Sequence, residues 1–263
     1  MWCHLLFLIC RNMEIKGLRE IADPMGAAIY DFYKNSHAGQ LVVCSSQFED
    51  DEIPIADLFR RFEQMPELEQ TALELAQGRI LDVGAGSGCH SVALAKMGKT
   101  VTAIDISPLS VAVMQDRGVD ARLVNFYDSS LTESFDTVLM LMNGTGIIGS
   151  LGNMPAFFDR LRQLLNPGGV VLVDSSDLRY LFEEEDGSLM IDLADDYYGQ
   201  LDYRMKYVNA STPELEGVEG EEFDWLYVDF ETLAFYAEEN GFAAELIAEG
   251  EHYDYLASLK LIS

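Results

Sequence analysis

Cysteine is scarce in this 263-residue chain, with Cys3, Cys10, Cys44 and Cys89 forming no CxxC pair and standing beside no histidine at metal-ligand spacing. That pattern supports neither a disulfide framework nor a zinc site, and it suits a reducing cytoplasm. Basic residues are few as well. Seventeen Lys and Arg stand against 45 Asp and Glu, a formal net charge of −28 that is spread along the chain. Such a surface repels phosphate and lacks the Lys/Arg stripe that neutralises nucleic-acid backbones, so DNA and RNA are poor partners. It favours cations such as an amine, although keeping the protein soluble is its plainer use. Long apolar runs are also missing. The opening MWCHLLFLIC falls well short of the roughly 20 residues that span a bilayer, and Arg11 follows it rather than preceding it, the reverse of a secretory leader. Residues 1–12 therefore read as an upstream extension or a loosely packed tail, with Met13 as an alternative start and a cleaved signal as the other reading. No membrane partner is expected, and the oligomeric state is not legible.

What is present is apolar content of 49%, enough to cover a sheet on both faces within one enlarged domain. The informative stretch is Ile80-Leu81-Asp82-Val83-Gly84-Ala85-Gly86-Ser87-Gly88, an apolar run that ends in an acid and a three-glycine loop. A helix over 91–97 follows, and then the run Val101-Thr102-Ala103-Ile104-Asp105-Ile106. Strand, tight loop, helix and strand in this order close on a nucleoside-like ligand. The glycines let the backbone turn sharply and approach that ligand, and Asp105 stands where a carboxylate accepts from both hydroxyls of a ribose. A dinucleotide fold uses GxGxxG to aim a helix at a pyrophosphate. Here the spacing is GxGxG, with Cys89 where the third glycine of that fingerprint belongs.

From Gly78 to Asp174 the chain resembles the class I methyltransferases that use S-adenosylmethionine. The resemblance rests on the glycine loop, on Asp105, on the strand FDTVLMLM (135–142) followed by Asn143, and on Asn166-Pro167-Gly168-Gly169 leading into VVLVD (170–174). It implies a doubly wound α/β fold whose mostly parallel seven-stranded sheet has an antiparallel last strand. It also implies a cofactor, S-adenosylmethionine, held by Asp82, Gly84, Ala85, Gly86, Gly88, Asp105, Ile106, Tyr127 and Asn143. Asp82 belongs near the methionine portion and Asp105 on the ribose. After the third strand (121–125) the chain reads Phe126-Tyr127-Asp128, departing from the family's glycine-then-acid pattern, so the residue that meets the adenine amine stays open. Asn143 follows the fourth strand, near the transferable methyl, but not in the NPPY or DPPY pattern of the nucleobase and glutamine N-methylating enzymes. For Asp82, Asn143, Tyr127 and Asp128 a turn or loop-ordering role stands beside the ligand role.

Residues 1–78 read as a helical extension, with helix over 17–35, an extended 41–46, an acidic turn 48–54 and helix over 55–78 on an apolar stripe through Ile55, Leu58, Phe59 and Phe62. Tyr30, Tyr33 and Arg60 are candidate lid residues, or core and surface residues of those helices. Residues 79–263 form the cofactor-binding domain. Within it, 178–226 reads as an inserted hairpin, with Tyr197, Tyr198, Tyr203 and Trp225 as an aromatic wall or as cross-strand packing. The last helix spans 229–242, and an antiparallel pair closes the chain. Methyl transfer is an in-line displacement that asks chiefly for positioning. No general base is assigned: His90, just after the third glycine, reads as a helix-start residue on the cofactor side, and His37 and His252 have no acid or metal-ligand partner by local spacing. Expected is a cytoplasmic methyltransferase acting on a small molecule. A ligand-binding relative without turnover and an NAD-dependent dehydrogenase are the alternatives.

Overall fold

The computed structural model describes residues 22–182 and 197–262. Expectations for residues 1–12, Met13 and the insertion over 183–196 lie outside them. In chain order the elements are α1 (Pro24–Asn35), β1 (Gln40–Cys44), β2 (Asp51–Ile53), α2 (Glu67–Leu75), β3 (Arg79–Val83), α3 (Cys89–Lys96), β4 (Thr100–Asp105), α4 (Pro108–Asp116), β5 (Asp120–Leu123) and β6 (Phe135–Met140). There follow α5 (Met154–Leu164), β7 (Leu165–Ser176), β8 (Gln200–Val208), β9 (Val218–Glu219), β10 (Phe223–Leu226), α6 (Phe230–Glu239), β11 (Phe242–Glu249) and β12 (Asp254–Leu261).

The main sheet has seven strands in the order β11-β12-β7-β6-β3-β4-β5. The pairs β3–β4, β4–β5, β3–β6 and β6–β7 are parallel, while β12 runs antiparallel to both β7 and β11. Central strands of such a sheet are buried on both faces, which explains their unbroken apolar runs. Ile80, Leu81, Val138, Leu139, Val171 and Leu172 are all buried. One face is covered by α5 and α6 through Phe157, Phe158, Leu161 and Leu233, the other by α2 and α3 through Leu68, Leu73 and Leu94. Burying Phe157 and Phe158 completely contributes roughly 1.5–3 kcal/mol each. The chain leaves β3 toward β4 and β5 and then returns to β6 on the other side. That reversal opens a crevice at the carboxyl ends of β3 and β6, where doubly wound folds bind their ligands.

A second sheet, in the order β10-β8-β1-β2, places the expected late hairpin beside the amino-terminal segment, with β9 also on β8. Thus the extended 41–46 is β1, paired along β8 from Gln40↔Val208 to Cys44↔Arg204, and the acidic turn 48–54 contains β2. Tyr207, fully buried in β8, donates to Asp31 of α1 at 2.6 Å and accepts from the Gly39 amide at 2.6 Å. The continuous helix expected over 55–78 is replaced by short 3-10 turns at Ile55–Phe59 and Phe62–Gln64, followed by α2. Arg60 and Arg61 between the turns are extended, and Pro66, which cannot continue a hydrogen-bond ladder, stands at the N-cap of α2.

Candidate functional site

The glycine loop is built by β3 ending against β4. Amides of Gly84 and Ala85 both donate to the Ile104 carbonyl, at 3.0 and 3.2 Å. Gly84, Gly86 and Gly88 have φ of +66°, +55° and +80°, a left-handed region that costs a side-chain-bearing residue roughly 1–2 kcal/mol. Their surroundings differ. A Cβ at Gly84 would meet nothing within 4 Å, and one at Gly86 only Ile29 Cδ1 at 3.8 Å, so this part of the loop borders open space. Gly88 instead caps α3 and would press on Met114 Cγ at 2.8 Å, so it serves helix packing. Ala85 is buried beside it.

Asp105 meets that loop directly. Its Oδ2 accepts from the Gly86 amide at 2.8 Å and its Oδ1 from the Ser107 amide at 2.8 Å. Burial pushes its pKa up to about 6, with Asp23 and Asp82 adding to the rise and the two amides opposing it. Each oxygen keeps a further lone pair, and together with the open loop this suits a vicinal diol and its nucleoside. Ile106, next in the chain, is largely exposed. Asp82 lies below the loop, 2% exposed, accepting from Ser91 Oγ at 2.6 Å, with its pKa raised by burial. Its observed contact orders the loop–helix junction.

Around Asp82 runs a buried polar chain that spacing did not disclose. His90 Nε2 lies 2.8 Å from Glu69 Oε2, and Arg60 pairs with the other oxygen of Glu69. Burial alone would lower the His90 pKa, but Cys89, Glu69 and Asp82 together raise it. His90 lies in the first turn of α3, and its acid partner comes from α2. Because that partner clamps it, His90 is no free base.

At the end of β6, Met142 and Asn143 take φ of +66° and +58°, consecutive left-handed positions of the kind that cluster at functional sites. The bend is held by Asp174 at the end of the parallel part of β7, which accepts from the Met142 and Gly144 amides at 2.9 Å each. Asn143 Oδ1 accepts from Ser176 Oγ at 2.8 Å. Burial pushes the Asp174 pKa up to about 6 as well, with the two amides opposing and Glu69 adding to the rise. Sequence reading treated Asp174 as a strand terminus. An acid closing VVLVD two residues before Ser176, opposite a glycine-rich loop, was the available signal.

A family model described as a methyltransferase domain matches residues 80–169. A SAM-dependent methyltransferase from Bacteroides fragilis, solved in complex with S-adenosyl-L-homocysteine, is 60% identical, covers 92% of this chain and 95% of its own, and superposes with a TM-score of 0.84. This chain belongs to the S-adenosylmethionine-dependent methyltransferases. The dehydrogenase alternative falls with that finding. The methyltransferase CcbJ from Streptomyces caelestis shares the fold at 16% identity and a TM-score of 0.60. Among curated relatives, the ubiquinone biosynthesis O-methyltransferase of Xanthomonas euvesicatoria pv. vesicatoria is 34% identical over 117 residues, and the cypemycin N-terminal methyltransferase of a Streptomyces species 32% over 102. These matches span 47% and 42% of those relatives' lengths.

The methyltransferase's second sheet turns one face toward its body. Leu41 and Tyr207 on that face join a core with Ala27, Ala28 and Ile29 of α1. Alternation along the strands puts Val43, Met205, Tyr203, Phe223 and Trp225 on the same face. Trp225 lies so close on Gly146 that a Cβ there would overlap its indole, and a chain of rings runs from Trp225 to Phe223 at 6.1 Å between centroids, from Phe223 to Tyr203 at 6.2 Å and from Tyr203 to Tyr227 at 6.4 Å. Tyr203 and Trp225 thus share a wall beside the β6 loop. Tyr197 and Tyr198 do not join it, for both donate to Asp229, the N-cap of α6, at 2.5 and 3.0 Å.

Other candidates go elsewhere. Tyr33 donates to Asp116 at 2.9 Å and Tyr30 packs in the α1 core. Tyr127 is partly exposed, packs edge-on against Phe126, and has its hydroxyl pKa pushed up to about 12 by burial. His37 lies near Ser211, and His252 engages Asp254 through its backbone. Among the described residues no helix is long and apolar enough to cross a membrane, and no cluster of His, Cys, Asp and Glu could hold a metal ion.

Proposed function

We propose that this methyltransferase moves a methyl group from S-adenosylmethionine to a small, uncharged or cationic acceptor in the cytoplasm, without a metal. The carrying observation is the convergence of the open Gly84–Gly86 bend on the Asp105 carboxylate through the 2.8 Å bond from the Gly86 amide. Asp105 would hold the ribose hydroxyls, Gly84 and Gly86 would admit the adenosine, and Ile106 and Tyr127 would flank the base. Asp82 would support the methionine end from below, with Ala85 and Gly88 as framework. When bound, S-adenosylmethionine supplies an electrophilic methyl on a sulfonium, so the chain's task is to hold an acceptor lone pair in line and exclude water. Asn143 and the wall of Trp225, Phe223 and Tyr203 are placed for that task. An anionic acceptor is disfavoured, because Arg60 is committed to Glu69, Arg117 to Ser87 and Arg179 to Asp177.

Titration with S-adenosylhomocysteine and with NAD, followed by incubation with methyl-labelled S-adenosylmethionine and a fractionated metabolite pool, tests the reading. We expect S-adenosylhomocysteine binding, no NAD binding and label in the small-molecule fraction. Label confined to macromolecules would refute the acceptor class. Binding with no transfer to any fraction would favour a ligand sensor.

A further inference from the structure

The amino ends of α1 and α4 meet beside Asp105. Asp23 caps α1 by accepting from the Gly26 amide at 2.8 Å on Oδ1, and its Oδ2 accepts from Ser107 Oγ at 2.6 Å. Ser107 caps α4, accepting on the same hydroxyl oxygen from the Ser110 amide at 2.9 Å, while its own amide donates to Asp105. The hydroxyl's one proton and one of its two lone pairs are used. The approach is so close that a Cβ at Gly26 would overlap both Asp23 Oδ2 and Ser107 Oγ. From the same helix Ile29 reaches the glycine loop at Gly86.

We propose that Asp23 and Ser107 are positioning residues for the Asp105 carboxylate, so that seating of α1 against α4 and binding of the cofactor ribose reinforce each other. This rests on the reading of Asp105 as the ribose acceptor. Both act through Asp105 in this proposal. Ser107 fixes one oxygen of Asp105 through its amide while Asp23 fixes Ser107, and Gly86 fixes the other oxygen from the loop. The carboxylate plane is then set jointly by β4, the loop and the amino-terminal helix. A free energy shared between two sites is reciprocal: ribose bonds that need Asp105 in this orientation hold α1 down, and α1 in place favours the ribose. The charged groups bearing on Asp105 are Asp23 ahead of α1 and Asp82 in β3, both acids. His90 in α3 bears on Asp82, and Arg117 at the end of α4 is held by Ser87. Neutralising Asp23 therefore removes repulsion from Asp105 and eases its ionisation.

The test is S-adenosylhomocysteine affinity of the full chain by calorimetry across roughly pH 5 to 8, a span that brackets the raised carboxyl. It is joined to hydrogen exchange over residues 24–35. Asp105→Ala first checks the underlying reading: if it binds like wild type, that reading fails. If it binds weakly, Ser107→Ala is expected to weaken affinity about fivefold to tenfold, Ser107→Thr to restore it, and Asp23→Asn to shift the acid limb of binding to lower pH. Ligand should slow exchange over 24–35 in wild type and lose that effect in Ser107→Ala. A merely structural pair of caps would lower the thermal midpoint while leaving affinity, acid limb and ligand-linked protection unmoved, and that outcome overturns the proposal.

Discussion

With Asp105 as the ribose acceptor, its carboxylate makes cofactor binding pH-dependent, in the same range as Asp174, which burial also lifts to about 6. Ribose hydroxyls donate to the ionised form, whereas burial has already lifted the free group to about 6, so ligand must displace a proton below that value. Affinity for S-adenosylhomocysteine is expected to be flat above pH 6 and to fall as pH drops through it. Asp105→Ala should weaken binding by about 1.5–3 kcal/mol and Asp105→Asn should flatten the acid limb. Calorimetry at several pH values reads both, and unchanged affinity in the alanine variant would place the ribose elsewhere. Asp105 and the glycines were legible because spacing along one loop and one strand end is a local property. For Asp82 a ligand role and a loop-ordering role were both legible, and its buried bond from Ser91 Oγ fits the second. Asp174, Glu69, Asp23 and Ser107 were not legible as parts of the site, since each gains its meaning from a partner in another element.

Elements divide in the same way. The run from β3 to β7 follows from short-range rules: apolar strands, Pro108 opening α4, and the Asn166-Pro167-Gly168-Gly169 stretch at the start of β7. The pairing of β1 with β8 joins segments more than 150 residues apart, as the Leu41↔Tyr207 register shows, and no local pattern specifies it. The amino-terminal stripe over 55–78 had helical spacing, yet extended Arg60 and Arg61 break it so that Arg60 can reach Glu69. Two variants probe the second sheet. Tyr207→Phe removes the hydroxyl that serves both Asp31 and the Gly39 amide, and should lower unfolding free energy by about 1–3 kcal/mol in a urea titration. Gly146→Ala displaces Trp225 from the β6 loop. Its expected signature is a raised KM for the acceptor with S-adenosylhomocysteine affinity unchanged, and loss of cofactor binding instead would mean that Trp225 is not part of the acceptor wall.

For the whole molecule, charge is the dominant long-range fact. A net −28 on 263 residues sets up a field that draws cations and repels phosphate, and mobile ions screen it beyond roughly 8–10 Å at ordinary salt. Toward their carboxyl ends β3, β4 and β7 carry Asp82, Asp105 and Asp174, so the same sign of charge continues into the site. S-adenosylmethionine bears a sulfonium that its demethylated product lacks. Stopped-flow association of S-adenosylmethionine should slow as salt rises, while that of S-adenosylhomocysteine should change much less. The field thus favours arrival of the substrate form over rebinding of the product, which eases turnover when product release limits the rate. Equal salt dependence for both ligands would show that the acidic surface serves solubility alone.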